Sequence, residues 1–309
     1  MEPGDKLNEI ERRMKRVEEL LARMTSQFEA LIQGRQQTVQ EVLFSQVAYL
    51  GDHRALTYLR SGQKIFVDTR CIDVATHLMF GGYWEVHYAT AFSRFLKPGH
   101  VVLDIGANHG FYALLAASRV APNGHVYAFE PNPRFHPLIK ASISVNGLDG
   151  LVTLVDKAVA DREGEVVLAF DDHRSATGHL RTDLPHPTTA AYPDEQTCAV
   201  QAVVLDRLFP ELRVDVVKMD IEGAEGPALA GMTALIDRSL DLKIMMEFCP
   251  RMMSAFKQDA GFVVEFLDSR GFMCWTIGDD GNLAPARWQA LLAQHNKVQN
   301  VIVSRQGVA

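Results

Sequence analysis

Cysteine is scarce in this 309-residue chain, and Cys71, Cys198, Cys249 and Cys274 lie far apart without a C-x-x-C pair. That scatter excludes a disulfide framework and the usual zinc spacings, and fits buried free thiols in a reducing compartment. Long apolar runs are missing too: no stretch reaches the ~20 residues that span a bilayer. The amino-terminal segment is charged and has no apolar signal core, so the expected location is the cytoplasm. Positive charge is not in excess, with 31 Lys and Arg against 38 Asp and Glu for a net charge of −7. A protein held mainly by polyanion contacts normally carries a basic footprint, so nucleic acid is not an expected substrate. What remains is a 47% hydrophobic composition, ordinary for a globular protein and enough for one large α/β domain with an appendage.

The appendage is legible at the start of the chain. Leu7, Ile10, Met14, Val17, Leu21, Met24, Phe28 and Leu31 alternate spacings of three and four, a heptad seam. In a parallel homo-oligomer Lys6 would face Glu11 and Arg13 would face Glu18, each pair of opposite sign, which supports self-pairing in register. Leu20 widens the stripe, so a trimer or a helix packed on its own domain stays open beside the dimer. Residues 1–45 are therefore expected to be a helical coiled coil and residues 46–80 a connecting segment. In that segment a second helical region from about Val39 to Leu59 leads to Gly62 and a short strand, KIFVD.

Beyond residue 80 strands and helices alternate. VVLDI, HVYAF, LVTLV, VDVVKMDI, LKIMMEFC, FMCWTIG and VQNVIVS are the candidate strands, and such alternation predicts a doubly wound, mostly parallel sheet covered on both faces. The most informative segment is Val101–Gly110, where VVLDI runs into the turn G-A-N-H-G and then into the helical period of FYALLAASRV. Gly106 and Gly110 let the backbone approach a ligand closely. Twenty residues on, HVYAF ends in Glu130-Pro131-Asn132, where doubly wound folds place an acceptor for ribose hydroxyls. The dinucleotide fingerprint G-x-G-x-x-G is absent, since Asn108 stands where its second glycine would be. Asp104, just before the turn, would repel a diphosphate and attract an amino group or a sulfonium. The ligand so described is cationic at one end and ribosylated at the other, the layout of S-adenosylmethionine.

A second apolar strand running into an acid and a glycine, VKMDIEGAE at 217–225, follows about a hundred residues later. The pair VLDIGANHG and VKMDIEGAE resembles the FkbM family of S-adenosylmethionine-dependent methyltransferases, over roughly residues 80 to 305. The resemblance implies a Rossmann-like methyltransferase domain over 81–309, with the last two strands forming an antiparallel edge hairpin. It implies that Asp104, Gly106, Asn108 and Gly110 line the methionine part of the cofactor, that Glu130 takes the ribose hydroxyls beside Asn132, and that Lys157 and Ala158 border the adenine. Tyr83 and Glu85 are candidates to close over the cofactor. His109 departs from the apolar residue expected in the family's turn.

Asp220, Glu222 and Glu247 end two strands and so face the ligand crevice. A hydroxyl is a weak nucleophile, and a carboxylate in hydrogen-bond reach would orient it and take its proton. Asp220 is the first choice for that base, with Glu247 beside it and His109 as an imidazole alternative. The same acids could instead hold Mg²⁺, while Glu222 and Glu225 could equally cap the helix that follows. The proline-bearing stretch from Asp171 to Thr197 has no sustained period and is expected to be a substrate-facing lid or a surface insertion. The expected function is O-methylation of a hydroxyl on a sugar or glycan, by a homo-oligomer built on the amino-terminal coil. A polyketide-type small molecule is the alternative acceptor. A non-catalytic scaffold that only binds the cofactor, and a nicotinamide oxidoreductase, stand as competing classes; the missing G-x-G-x-x-G counts against the latter.

Overall fold

The computed structural model describes residues 47–184 and 195–308, together with residues 14, 15, 18, 24–26 and 29, which are helical. The chain divides into the units Met1–Gln46 and Val47–Ala309. The heptad seam falls in the first unit and, apart from Met14 and Met24, lies outside the described residues. Among the described residues no helix is long and apolar enough to cross a membrane.

The second unit opens on an antiparallel sheet of β1 (Ala48–Gly51), β2 (Arg54–Tyr58) and β3 (Lys64–Asp68). This corrects the helical reading of residues 48–59. Gly51, Asp52 and His53 all take positive φ, at 83°, 48° and 58°, which turns the chain sharply between β1 and β2. Ala55 and Thr57 then point inward at strand period.

The central sheet has eight strands in the order β14-β13-β15-β12-β11-β4-β5-β6. Its members are β4 (Val101–Ile105), β5 (His125–Phe129), β6 (Val152–Val155), β11 (Val216–Met219), β12 (Lys243–Phe248), β13 (Met273–Ile277), β14 (Leu283–Ala286) and β15 (Gln299–Ser304). All the candidate strands fall within it. The run β6-β5-β4-β11-β12 is parallel, while β15 runs antiparallel between β12 and β13. The last two candidate strands do pair antiparallel as expected, β13 with β15, but they do not form the edge, because the intervening β14 pairs with β13 and takes that place.

Period 2 assigns each central strand to two cores. Val102, Val216 and Met245 join the core beneath the helix Phe111–Val120, whereas Leu103, Ile105, Val217, Met219 and Ile244 join the opposite one. Asp104 and Lys218 stand two residues on from Val102 and Val216 and so share their face, and they are register partners. Both therefore project into the first core.

A third, four-stranded sheet, β7-β10-β8-β9, consists of β7 (Ala158–Val159), β8 (Gly164–Phe170), β9 (His179–Leu180) and β10 (Gln196–Val203). The expected structureless stretch after Asp171 is therefore organised over its first part, with a 3-10 turn at Ser175–Thr177 before β9. Residues 185–194 lie outside the described residues.

A candidate active-site cleft at the sheet's switch point

Chain order reverses between β4 and β11: from β4 the sheet proceeds through β5 and β6 on one side and through β11 and β12 on the other. In open α/β sheets the ligand crevice forms at such a point, beyond the strands' carboxyl ends. The turn Gly106–Gly110 leaves β4 there, and Asp220 follows β11. Gly106 and Gly110 take φ of 86° and 87° and Asn108 takes 53°. A Cβ on Gly106 would collide with the Asp220 carbonyl oxygen, so glycine at 106 is what lets these two strand ends approach.

The turn's backbone donors are already engaged. The Gly106 and Ala107 N–H groups donate to the Phe129 carbonyl at 3.0 and 2.9 Å, and the Gly110 N–H to Ala107. The Asn108 N–H donates to Glu130 Oε2 at 2.6 Å. These four amides therefore offer no cradle for a diphosphate. Glu130 also accepts the Asn132 N–H on Oε1 at 2.8 Å. Burial raises its carboxyl and the two N–H donors only partly offset this, leaving it at about 7. Since a carboxylate has about four lone-pair positions, two remain for a ligand's hydroxyls.

The cleft gathers Glu85, Gly106, Asn108, His109, Glu130 and Asn132 with Asp220, Glu222 and Glu247. Lys157 and Ala158 border a smaller adjoining cavity lined largely by apolar groups, among them Ile105, Phe129, Leu168 and Ile221. Ser175, Ala176 and Gly178 of the segment before β9 also line the cleft. They are held there by the Asn108 amide, which donates to the Ser175 carbonyl at 2.9 Å, and by Asp73, which accepts the Ala176 N–H at 2.9 Å.

Two expected residues take other places. His109 is fully buried; its Nε2 accepts the Asp68 N–H at 3.3 Å and its Nδ1 lies 2.6 Å from Asn108 Oδ1. Burial drives its pKa down to about 3, so the ring is neutral and both nitrogens are occupied. It props the turn against β3 and is corrected from base to packing residue. Asp104 is also fully buried and does not line the cleft; both its oxygens lack a hydrogen-bond partner among the described residues. Burial, opposed by nearby Lys218, brings its carboxyl to about 6.

Lys218, unremarked in the sequence, is the cation of the site. Its ammonium lies 3.2 Å from Asp220 Oδ2 and 4.8 Å from the centre of the Tyr112 ring. Burial opposes its charge, but Asp220, Asp104 and Glu85 outweigh burial and raise its pKa. Tyr112 in turn donates to Glu85 at 2.9 Å, where burial and the charge of Asp220 raise the carboxyl to about 6. Glu222 and Glu247 are pushed well above the ordinary range by burial first and by neighbouring carboxylates second. Glu225, by contrast, accepts the Ile221 N–H at 3.2 Å and serves the start of the helix Glu225–Ala230.

The profile of the methyltransferase FkbM domain matches residues 104–274, more than half of the chain. Among curated proteins, the protein-L-isoaspartate O-methyltransferase of Aeropyrum pernix is 37% identical over 59 residues, which are 19% of this chain and 23% of that one. Among solved structures, a methyltransferase FkbM from Methylobacillus flagellatus is similar at 12% identity and a TM-score of 0.43, covering 75% of this chain and 52% of that one. A precorrin-6y C5,15-methyltransferase from Geobacter metallireducens gives 18% identity and a TM-score of 0.39, covering 71% and 87%.

Proposed function

Because this chain belongs to the FkbM methyltransferase domain family, we propose that it transfers the methyl group of S-adenosylmethionine to a hydroxyl of a sugar or glycan. The observation that carries this reading is the meeting of Glu130, the Gly106–Asn108 turn and three strand-end acids in one cleft. The donor set suits the cofactor: the lining is acidic, as a sulfonium requires, and the engaged amides of the turn leave a diphosphate little to bind.

S-adenosylmethionine supplies an electrophilic methyl on a positively charged sulfur. Glu130 takes the ribose hydroxyls with Asn132 beside it, and Lys157 and Ala158 border the adenine in the apolar side cavity. Gly106, Asn108 and Gly110 shape the wall against the methionine portion. Asp104 acts from behind that wall, where it helps to keep Lys218 charged. Glu85, tethered by Tyr112, closes the cleft from the side of the helix Val86–Phe95.

Asp220 orients the acceptor hydroxyl while Lys218 holds its other oxygen. The proton leaves to the acid cluster, for which Glu247 is suited because burial and the neighbouring carboxylates have raised its proton affinity. Placement and exclusion of water account for the rest of the rate. The acceptor is not anionic on this reading, since Glu85, Asp220, Glu222 and Glu247 would repel a phosphate. The active species is a homo-oligomer joined through the seam of residues 7–31.

The test is transfer of labelled methyl to a panel of neutral glycosides and aminoglycosides. The reading predicts label on oxygen of a neutral glycoside, and an Asp220→Ala variant slowed about 100-fold with cofactor affinity retained. Label found only on amine nitrogen would contradict it.

A further inference from the structure

S-adenosylmethionine is not only a cation. Beside its sulfonium and α-ammonium it carries an α-carboxylate, and the cleft gives an anion little welcome. Glu85, Glu130, Asp220, Glu222 and Glu247 all line it, and among the described lining residues Lys218 is the only lysine or arginine. The backbone of the turn is no substitute, because the N–H groups of Gly106, Ala107, Asn108 and Gly110 already donate to protein oxygens.

Lys218 stands at the end of the cleft where that carboxylate belongs. Its Nζ lies 3.5 Å from the Gly106 carbonyl oxygen and 3.2 Å from Asp220 Oδ2. It therefore sits where the turn that walls the methionine portion meets the strand end that bears the proposed base. An ammonium has three N–H donors, and these two oxygens account for two of them. The Tyr112 ring, centred 4.8 Å from Nζ, attracts the charge but supplies no lone pair to accept a hydrogen bond. Asp220 is the one carboxylate in ion-pair range of Nζ among the described residues. Lys218 is 3% exposed, and a charge taken so far out of water is costly unless its donors are filled.

We propose that the Lys218 ammonium pairs with the α-carboxylate of S-adenosylmethionine, so that the chain selects a nucleoside with an intact amino-acid tail over one that lacks the carboxylate. This assignment rests on the reading of the cleft as a cofactor site. A charge-assisted hydrogen bond of this kind is about twice as strong as a neutral one, and here it also cancels the repulsion that the surrounding acids exert on the carboxylate. One ammonium then touches both the cofactor and Asp220, and it fixes the tail of the methyl donor beside the carboxylate that orients the acceptor.

The experiment is calorimetric titration of the full chain with S-adenosylmethionine and, separately, with decarboxylated S-adenosylmethionine, two ligands that differ in the carboxylate alone. The wild-type chain is expected to bind the first about tenfold more tightly or better. Lys218→Met should abolish that preference: S-adenosylmethionine weakens, while the decarboxylated form, which carries the higher positive charge, holds or gains affinity in a cleft that has lost its cation. Lys218→Arg should keep part of the preference. A wild-type chain that binds both ligands equally overturns the proposal without recourse to any variant, and leaves the cofactor reading in place. A folded Lys218→Met chain that retains the full preference overturns it as well, since the carboxylate is then held elsewhere. A wild-type chain that binds neither ligand removes the methyl-transfer reading, and this assignment with it.

Discussion

Arg134 is committed to holding the fold around the cleft. Its guanidinium donates to Asp68 Oδ2 at 2.6 Å, to Asp172 Oδ1 at 2.7 Å and to the Asp172 carbonyl at 2.7 Å. It thereby ties β3 to the segment that covers the site. Arg134→Ala would remove one of the two guanidinium partners of buried Asp68 and leave Arg70 in place, and it is expected to cost about 1.5–3 kcal/mol, measured by chemical denaturation. Asp68 itself shows the balance: burial pushes its carboxyl up, but hydrogen bonds from Arg70 and Arg134 win and bring it to about 2. Its contribution to stability is present above its ordinary value of 3.8 and is lost as pH falls through 2. Four buried acids in and behind the cleft act in the opposite sense. Asp104 and Glu85 sit at about 6, Glu130 at about 7 and Glu225 at about 8, all raised chiefly by burial. Their contribution is complete below the ordinary carboxylate range and is lost as pH rises through 6 to 8. The melting temperature of the ligand-free chain, followed by scanning fluorimetry, is therefore expected to fall by several degrees between pH 5 and pH 8. Glu225→Gln should flatten the upper part of that fall. Residues that end strands were legible because a strand's apolar run announces its last acid, as with Glu130 and Glu247. Lys218 and His109 were not: each owes its role to a neighbour fixed only by register or by β3, far away in sequence.

At the scale of elements, the turn after β4 decides whether the cleft exists. Alanine at 106 would need both a strained positive φ and displacement of the Asp220 carbonyl. Gly106→Ala is expected to destabilise the chain by about 1–3 kcal/mol or more and to weaken S-adenosylmethionine binding at least tenfold, read by calorimetry on the folded fraction. The strands of the central sheet were legible because burial on both faces leaves a continuous apolar run, as in VVLDI. Of the strands outside it, KIFVD was legible and the others carry no such mark. In β8 the run GEVVLAF exposes its first half and buries its second, and its partner β10 begins only after the prolines near residue 190. The hairpin of β1 and β2 did carry a turn signal, Gly51-Asp52, but apolar spacing over 39–59 mimicked a helix and masked it.

At the scale of the whole molecule, function depends on where the sheet changes direction. β4 and β11 lie side by side although more than a hundred residues separate them, and this brings Gly106 against Asp220 and Asp104 against Lys218. The order of strands is not written in any local pattern, so the sequence could place each acid at a strand end without saying which ends would meet. Homo-oligomer formation is a separate expectation, carried by the heptad spacing of residues 7–31. Sedimentation is expected to show an oligomer for the full chain, whereas a monomeric full chain at micromolar concentration would remove it.

The cleft stands or falls as a cofactor site with one titration, S-adenosylmethionine into the purified full chain by isothermal calorimetry. The account predicts saturable binding of one molecule per chain, with S-adenosylhomocysteine competing for the same place and Glu130→Ala weakening both. Absence of heat and of competition for either compound, with the chain folded, would contradict it.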